Sequence, residues 1–266
     1  MLAREVAPLV SSPGWARDPA WKRALDLIGG AAGALLGAPF ILLLSLAIWL
    51  QDQRDPFYVS ARIGRGGRGF RFVKLRTMIP NASATRVDTT VANDPRLLPV
   101  GRLIRALKFD ELPQFWHVLG GTMSLVGPRP NVEREVRLYT TEEQRMLTVR
   151  PGITDYASIV FSDLATVLAG FPDANIAYNQ LVRPWKSALA LHYVAHRTLT
   201  RDLVILACTA AHAFSRGIAL RWIAADLARS GAAPELVRFA FRRDPLTPRP
   251  PPGALGVVTS REQKPS

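Results

Sequence analysis

The chain has 266 residues, 48% of them hydrophobic, enough for one ordinary domain with appendages and a real core. Its one cysteine, Cys208, excludes an intramolecular disulfide and reads as a small buried apolar residue in a reducing compartment. A surplus of 34 Lys and Arg over 21 Asp and Glu, net +13, favours polyanionic partners: nucleic acid, anionic lipid or phosphorylated substrates.

Residues 27–50, LIGGAAGALLGAPFILLLSLAIWL, carry no charge and would measure about 36 Å as a straight helix, a membrane length. A cleaved signal peptide would have a shorter apolar core, and no small-residue cleavage site follows Trp49 and Leu50. Gly29, Gly30, Gly33 and Gly37 weaken any helix here. Pro39, near the centre, lacks the amide hydrogen needed to continue one. Arg17, Lys22 and Arg23 precede the segment, and Arg54, Arg62, Arg65, Arg68 and Arg71 follow it, so both ends are pulled toward the cytoplasmic side. A re-entrant helix-break-helix over residues 22–53, with its break at Pro39 and arms of about 18 Å, satisfies both pulls. A kinked single span is the alternative. Residues 1–21 form an N-terminal flank.

After Pro56 the pattern FYVSARI, GRGGRG, FRFVKLRTM predicts a β-hairpin that opens the soluble domain. The G-x-G-x-x-G of Gly64, Gly66 and Gly69 leads into a strand, whereas a dinucleotide loop must open a helix. In the second strand Phe70, Phe72, Lys74 and Arg76 share one face. GRLIRALKF from Gly101 has helical apolar spacing and runs into Asp110-Glu111-Leu112-Pro113-Gln114. Pro128 and Pro130 stiffen the backbone around Arg129, which suits bidentate phosphate binding. Adjacent carboxylates beside cations can hold a hard divalent cation or attack a phosphoryl group, although an isolated Asp-Glu pair is usually a surface or helix-start feature.

These motifs in this order, the anchor with central proline, FRFVKLRTM, LIRALKFDELPQFW, MSLVGPRP and VRPGIT, resemble the bacterial sugar transferase family of monotopic phosphoglycosyl transferases over roughly residues 20–215. The resemblance implies a membrane enzyme that moves a phosphosugar from a nucleoside diphosphate sugar, expected to be a UDP-sugar, onto undecaprenyl or a similar polyprenyl phosphate. That would be the first membrane step of polysaccharide or glycoconjugate assembly. It further implies Asp110 as covalent nucleophile and Mg2+ ligand, and Glu111 as a base or metal-orienting partner. Lys74, Arg76, Arg105 and Arg129 would hold phosphate, and Gln114 would support the carboxylates. The inner membrane, with the catalytic domain on its cytoplasmic face, is the implied location, and an oligomer is compatible with it. Two departures stand out: Ala38 precedes the central proline where serine is common, and Asp155 follows Pro-Gly-Ile-Thr where many relatives have glycine. His117, where asparagine is common, reads as a satisfied structural histidine.

His192 and His196 have i, i+4 spacing but neither a metalloprotease glutamate nor an apparent third ligand. Leu181 to about Phe214 reads as helices, with an apolar run too short to span a membrane. Residues 216–243 read as a basic amphipathic extension, for anionic lipid or for the core, and residues 244–266 as a disordered proline-rich tail. The predicted architecture is α+β: the re-entrant anchor, interfacial helices and a small catalytic domain (residues 54–215) with short strands. A catalytically silent scaffold of the same fold is the alternative, against which the intact carboxylate pair and its cations argue. Nucleic acid is not an expected partner, because no reading helix or aromatic RNA-binding motif is recognisable.

Overall fold

A computed structural model describes residues 18–79 and 95–260; most of the N-terminal flank and residues 261–266 of the tail lie outside it. Helix α1 (Ala20–Asp52) occupies the apolar segment and continues on both sides of Pro39. Its glycines form the face that meets the rest of the chain. A Cβ at Gly33 would stand 2.3 Å from the Phe115 ring, and one at Gly29 would stand 2.5 Å from Leu125. The residues that weaken the helix in isolation are therefore those that let its backbone approach the body.

Both ends of α1 are tied down. Near its start, buried Lys22 donates to Asp202 (2.5 Å) and to the Val126 carbonyl (2.8 Å). Buried Asp26 accepts from Ser124 Oγ and the Leu125 amide. At its end, Asp52 takes both guanidinium arms of Arg76 at 2.7 Å, and Arg76 Nε reaches the Asp55 carbonyl. Between these ties, Leu35, Leu36, Leu42 and Leu43 stay exposed.

Strands β1 (Phe57–Ile63) and β2 (Gly69–Leu75) pair antiparallel as the predicted hairpin. Gly66 and Gly67 supply the positive φ of its turn. Helix α2 (Pro99–Ala106) leads through a short 3-10 turn, Phe109–Glu111, into α3 (Gln114–Leu119). The C-terminal carbonyls of α3, at Val118 and Leu119, are capped by Arg23 of α1. Strand β3 (Ser124–Val126) is followed by α4 (Glu133–Val136), then by β4 (Gly152–Thr154), which lies parallel to β3. Gly127 and Gly152 cross so closely that a Cβ on Gly152 would sit 2.1 Å from the Gly127 nitrogen.

The remainder is helical: α5 (Tyr156–Val160), α6 (Leu164–Leu168), α7 (Ala174–Ala177), a π-helical turn (Tyr178–Val182), α8 (Arg183–His196), α9 (Leu199–Phe214), α10 (Arg216–Arg229) and α11 (Pro234–Ala240). The class is α+β, with two small two-stranded sheets among the described residues.

At the C-terminus one alternative is taken and one expectation changes. Of the two expected roles for residues 216–243, lipid contact or core packing, the structure shows core packing. Leu220, Ile223 and Leu227 of α10 and Leu236 and Phe239 of α11 belong to the main core, with Met123, Tyr156, Leu189, Ile205 and Cys208. Residues 244–260 are a seated strap rather than a loose tail. Arg249 stacks 4.0 Å from the Trp185 ring centroid and pairs with Glu235, the Pro252 carbonyl accepts from Thr140, and Val258 is buried. Proline lowers the entropy lost when such a strap is fixed in place.

Candidate active site

The site is built where α2, the 3-10 turn and β2 meet. Lys108 adopts a left-handed backbone (φ 57°) that ends α2 and swings the next residues back toward β2. Asp110 and Glu111 follow at once, on the 3-10 turn. They line a cavity of about 1810 Å³ together with Arg62, Lys74, Arg105 and Arg129.

Asp110 is 7% exposed, and its carboxylate accepts no hydrogen bond from the described residues. Burial, then the neighbouring Glu111, pushes its pKa above the ordinary carboxylate range against the pull of Lys74, Arg105 and Arg129. Glu111 is also desolvated, but its ion pair with Arg129 outweighs the burial and holds its pKa low. Arg129 grips both oxygens, with Nη1 3.3 Å from Oε2 and a closer Nη2–Oε1 contact. Two adjacent carboxylates thus have their acidities driven apart, one by burial and one by a guanidinium. Lys74 projects into the same space, 5.3 Å from the Tyr58 ring centroid, and burial lowers its pKa to about 8 despite Asp110 nearby.

Arg105 lines the cavity and acts on both Asp110 and Lys74. Arg76 does not join them. Its three donor nitrogens are committed to Asp52 and the Asp55 carbonyl, so it clamps the end of α1 rather than holding phosphate. The Arg76 amide still bonds the Pro56 carbonyl in hairpin register, so its side chain is drawn off by Asp52 and not by a change of strand path. Gln114 is fully buried and is not among the residues that line the cavity, and its amide has no hydrogen-bond partner among the described residues, so no hydrogen bond joins it to the carboxylates. His117 accepts from the Val73 amide through Nε2 (3.1 Å) and lies parallel to the Phe72 ring, a structural role that requires an unprotonated nitrogen.

Arg62, absent from the sequence-based set, lines the cavity and stands 5.7 Å from the Phe72 ring centroid. The hairpin register contains the signal that finds it: Tyr58 opposes Lys74, Ser60 opposes Phe72 and Arg62 opposes Phe70. Residues directly opposed across a strand pair share a face. Asp155 and Lys186 also line the cavity, and only the folding of α5 against α8 brings them there.

No group of three or more His, Cys, Asp and Glu capable of caging a metal occurs among the described residues; His192 and His196 stack on each other, and His192 Nε2 lies 2.7 Å from Ser230 Oγ. Magnesium does not need a cage, since one or two carboxylates plus substrate phosphates suffice. The open carboxylate of Asp110 fits that requirement.

The family profile described as bacterial sugar transferase matches residues 17–216. The exopolysaccharide production protein ExoY of Rhizobium meliloti is 32% identical over 200 residues, covering 70% of this chain and 81% of that protein. A UDP-glucose:undecaprenyl-phosphate glucose-1-phosphate transferase of Caulobacter vibrioides is 39% identical over 141 residues, 52% of this chain and 53% of that one. A UDP-N-acetylgalactosamine-undecaprenyl-phosphate N-acetylgalactosaminephosphotransferase of Aeromonas hydrophila is 35% identical over 146 residues, 52% and 34% of the respective chains. With its carboxylate pair set among cations, the chain belongs to the bacterial sugar transferase family and is a phosphoglycosyl transferase.

Proposed function

We propose that the protein transfers a sugar phosphate from a UDP-sugar to undecaprenyl phosphate or a similar polyprenyl phosphate, opening polysaccharide or glycoconjugate assembly, with Asp110 as covalent nucleophile. The observation that carries this reading is the Asp110 carboxylate, buried, without a hydrogen bond from the described residues, and facing the charges of Lys74, Arg105 and Arg129 at the wall of a large cavity. An Asp110 oxygen bonds to the β-phosphorus of the donor while the bond from that phosphorus to the bridging oxygen breaks, and UMP leaves with the electron pair. A phosphate oxygen of the lipid then attacks the same phosphorus. The bond to Asp110 breaks, giving a polyprenyl diphosphosugar and returning the carboxylate.

Lys74, Arg105 and Arg129 are placed to hold phosphoryl oxygens as charge moves among them. Glu111, kept acidic by Arg129, is a poor proton acceptor and serves to aim that arginine. A magnesium ion held by Asp110 and the donor phosphates would neutralise phosphate charge.

Helix α1 is long and apolar enough to cross a membrane. Its ties to one body at both ends, through Lys22 and Asp52, support a path bent at Pro39 that enters and leaves on the cytoplasmic face of the inner membrane. Pro39 leaves the Leu35 carbonyl without its helical partner, which makes a bend there cheap. Leu199, Leu203 and Phe214 of α9 are exposed apolar groups that suit lipid contact.

The reading is tested by UMP release from a panel of UDP-sugars by nanodisc-held protein with undecaprenyl phosphate and magnesium. Release that depends on the lipid supports it; folded protein that releases nothing from any donor sinks it. The same assay across pH should give a bell. Asp110 must be ionised, so turnover falls as pH drops through its raised pKa, above the ordinary carboxylate range. Lys74 must be charged, so turnover falls as pH rises past about 8. Lys74→Arg, which does not titrate in this range, should carry the basic limb upward; an unmoved limb removes Lys74 from the phosphate site.

A further inference from the structure

Beyond Arg129 the cavity continues to a second group of side chains that the phosphoryl chemistry does not use. Lys186, on α8, lines it with its ammonium 5.4 Å from the Tyr178 ring centroid and 5.9 Å from that of Phe161. The ammonium donates no hydrogen bond to any described residue. Asp155 lines the same stretch and is 4% exposed. One of its oxygens, Oδ1, accepts from the Ser158 amide (2.6 Å) and hydroxyl (2.5 Å), which caps α5. The other oxygen accepts nothing from the described residues.

Asp155 is the carboxylate that acts most on Lys186, yet the two do not form an ion pair. Arg129 feels Asp155 as well as Glu111 and Asp110, which places this group next to the phosphate-holding residues. The two rings support the Lys186 ammonium from below, and a charged donor and a charged acceptor at one cavity suit neighbouring polar groups of a sugar. A hydroxyl can give its proton to a carboxylate and receive one from an ammonium. Trp185, the neighbour of Lys186, is stacked at 3.8 Å on Phe239 and at 4.0 Å under Arg249, so α8 is firmly held where the lysine leaves it.

We propose that Asp155 and Lys186 form the glycosyl subsite of the donor site, the carboxylate accepting from one polar group of the sugar and the ammonium donating to its neighbour. This rests on the UDP-sugar reading above. Two neighbouring hydroxyls meet both charges, and so does a hydroxyl beside an acetamido group, whose N–H donates and whose carbonyl accepts.

The test uses the full chain in nanodiscs, with UMP release and equilibrium binding measured for UDP-glucose, UDP-N-acetylglucosamine and UDP. Lys186→Met and Asp155→Asn are compared with the wild type; asparagine keeps the helix cap. The wild type should bind at least one of the two UDP-sugars more tightly than UDP. Each variant should lose on the order of 10–100-fold in affinity for that UDP-sugar, seen chiefly in KM, while binding of UDP stays within about twofold. Equal losses for UDP and the UDP-sugars would place Lys186 on the nucleotide and overturn the proposal, as would unchanged UDP-sugar affinity in both variants. Wild-type protein whose UDP-sugar binding depends on these residues but that releases no UMP would refute the transferase reading and leave the subsite standing. Protein that binds UDP and both UDP-sugars equally would refute the subsite alone.

Discussion

Asp110→Asn should abolish transfer, lowering kcat by about 10⁴-fold, because the amide keeps the shape of the side chain but cannot attack phosphorus. Loss of folding is not the expected cause. The native pKa of Asp110 lies above its unfolded value, so at neutral pH its ionised form opposes folding, and the opposition disappears below both values. Replacing the charge with a neutral amide removes that cost, and thermal unfolding of the variant should occur at or above the wild-type temperature. Wild-type protein given donor without lipid should carry a phosphosugar mass on the peptide containing Asp110, and the variant should carry none. Substantial turnover by a correctly inserted variant would rule out Asp110 as nucleophile.

Lys22→Met should have the largest effect on stability. Lys22 and Asp202 are almost fully inaccessible, and the ammonium also holds the Val126 carbonyl at the end of β3, just before the segment that carries Arg129. Tyr193 is in the same network, its hydroxyl 2.7 Å from Asp202 Oδ1. Removing one member of a buried pair strands the other, at a cost of about 3–5 kcal/mol, which corresponds to a fall of about 10 °C in Tm for a chain of this size.

The pH dependence identifies the cause. Burial already raises the pKa of Asp202 against the opposing pull of Lys22, and losing Lys22 raises it further. Its ionised form therefore destabilises the variant above the unfolded carboxylate pKa, and the deficit should shrink as pH falls through the raised native value. Thermal scans at several pH values in one detergent measure this. A deficit constant with pH would mean that lost packing, not a stranded Asp202, is responsible.

Several of the residues that line the cavity can be picked out in the sequence. The alternation in FRFVKL placed Lys74 with Phe70 and Phe72, and the doubled proline around Arg129 marked a stiff presentation. The carboxylate pair at residues 110 and 111 stood out by its cationic company. Alternation puts Arg76 on the face of Lys74, but Asp52 at the end of α1, 24 residues away in sequence, takes both of its guanidinium arms, a partner that strand periodicity does not reveal. The C-terminal strap was read as disorder because its composition contains few groups able to form a core of their own, whereas its partners, Trp185, Glu235 and Thr140, belong to other elements.

Local pattern by itself determined the elements: the apolar helix, the hairpin, the helical C-terminal half, and the family motifs with their adjacent carboxylates. Periodicity and motif spacing are properties of neighbours in the chain, so they are written in it directly. Only the tertiary structure decided which charges remain unpaired. Asp110 and Glu111 are adjacent and chemically alike, yet Arg129, 18 residues further on, takes one and leaves the other. Asp155 and Lys186 become a pair across a cavity only when α5 and α8 pack together. Acidity and reactivity at such positions depend on burial and on through-space neighbours within a few ångströms, and those distances come into being only when the chain folds.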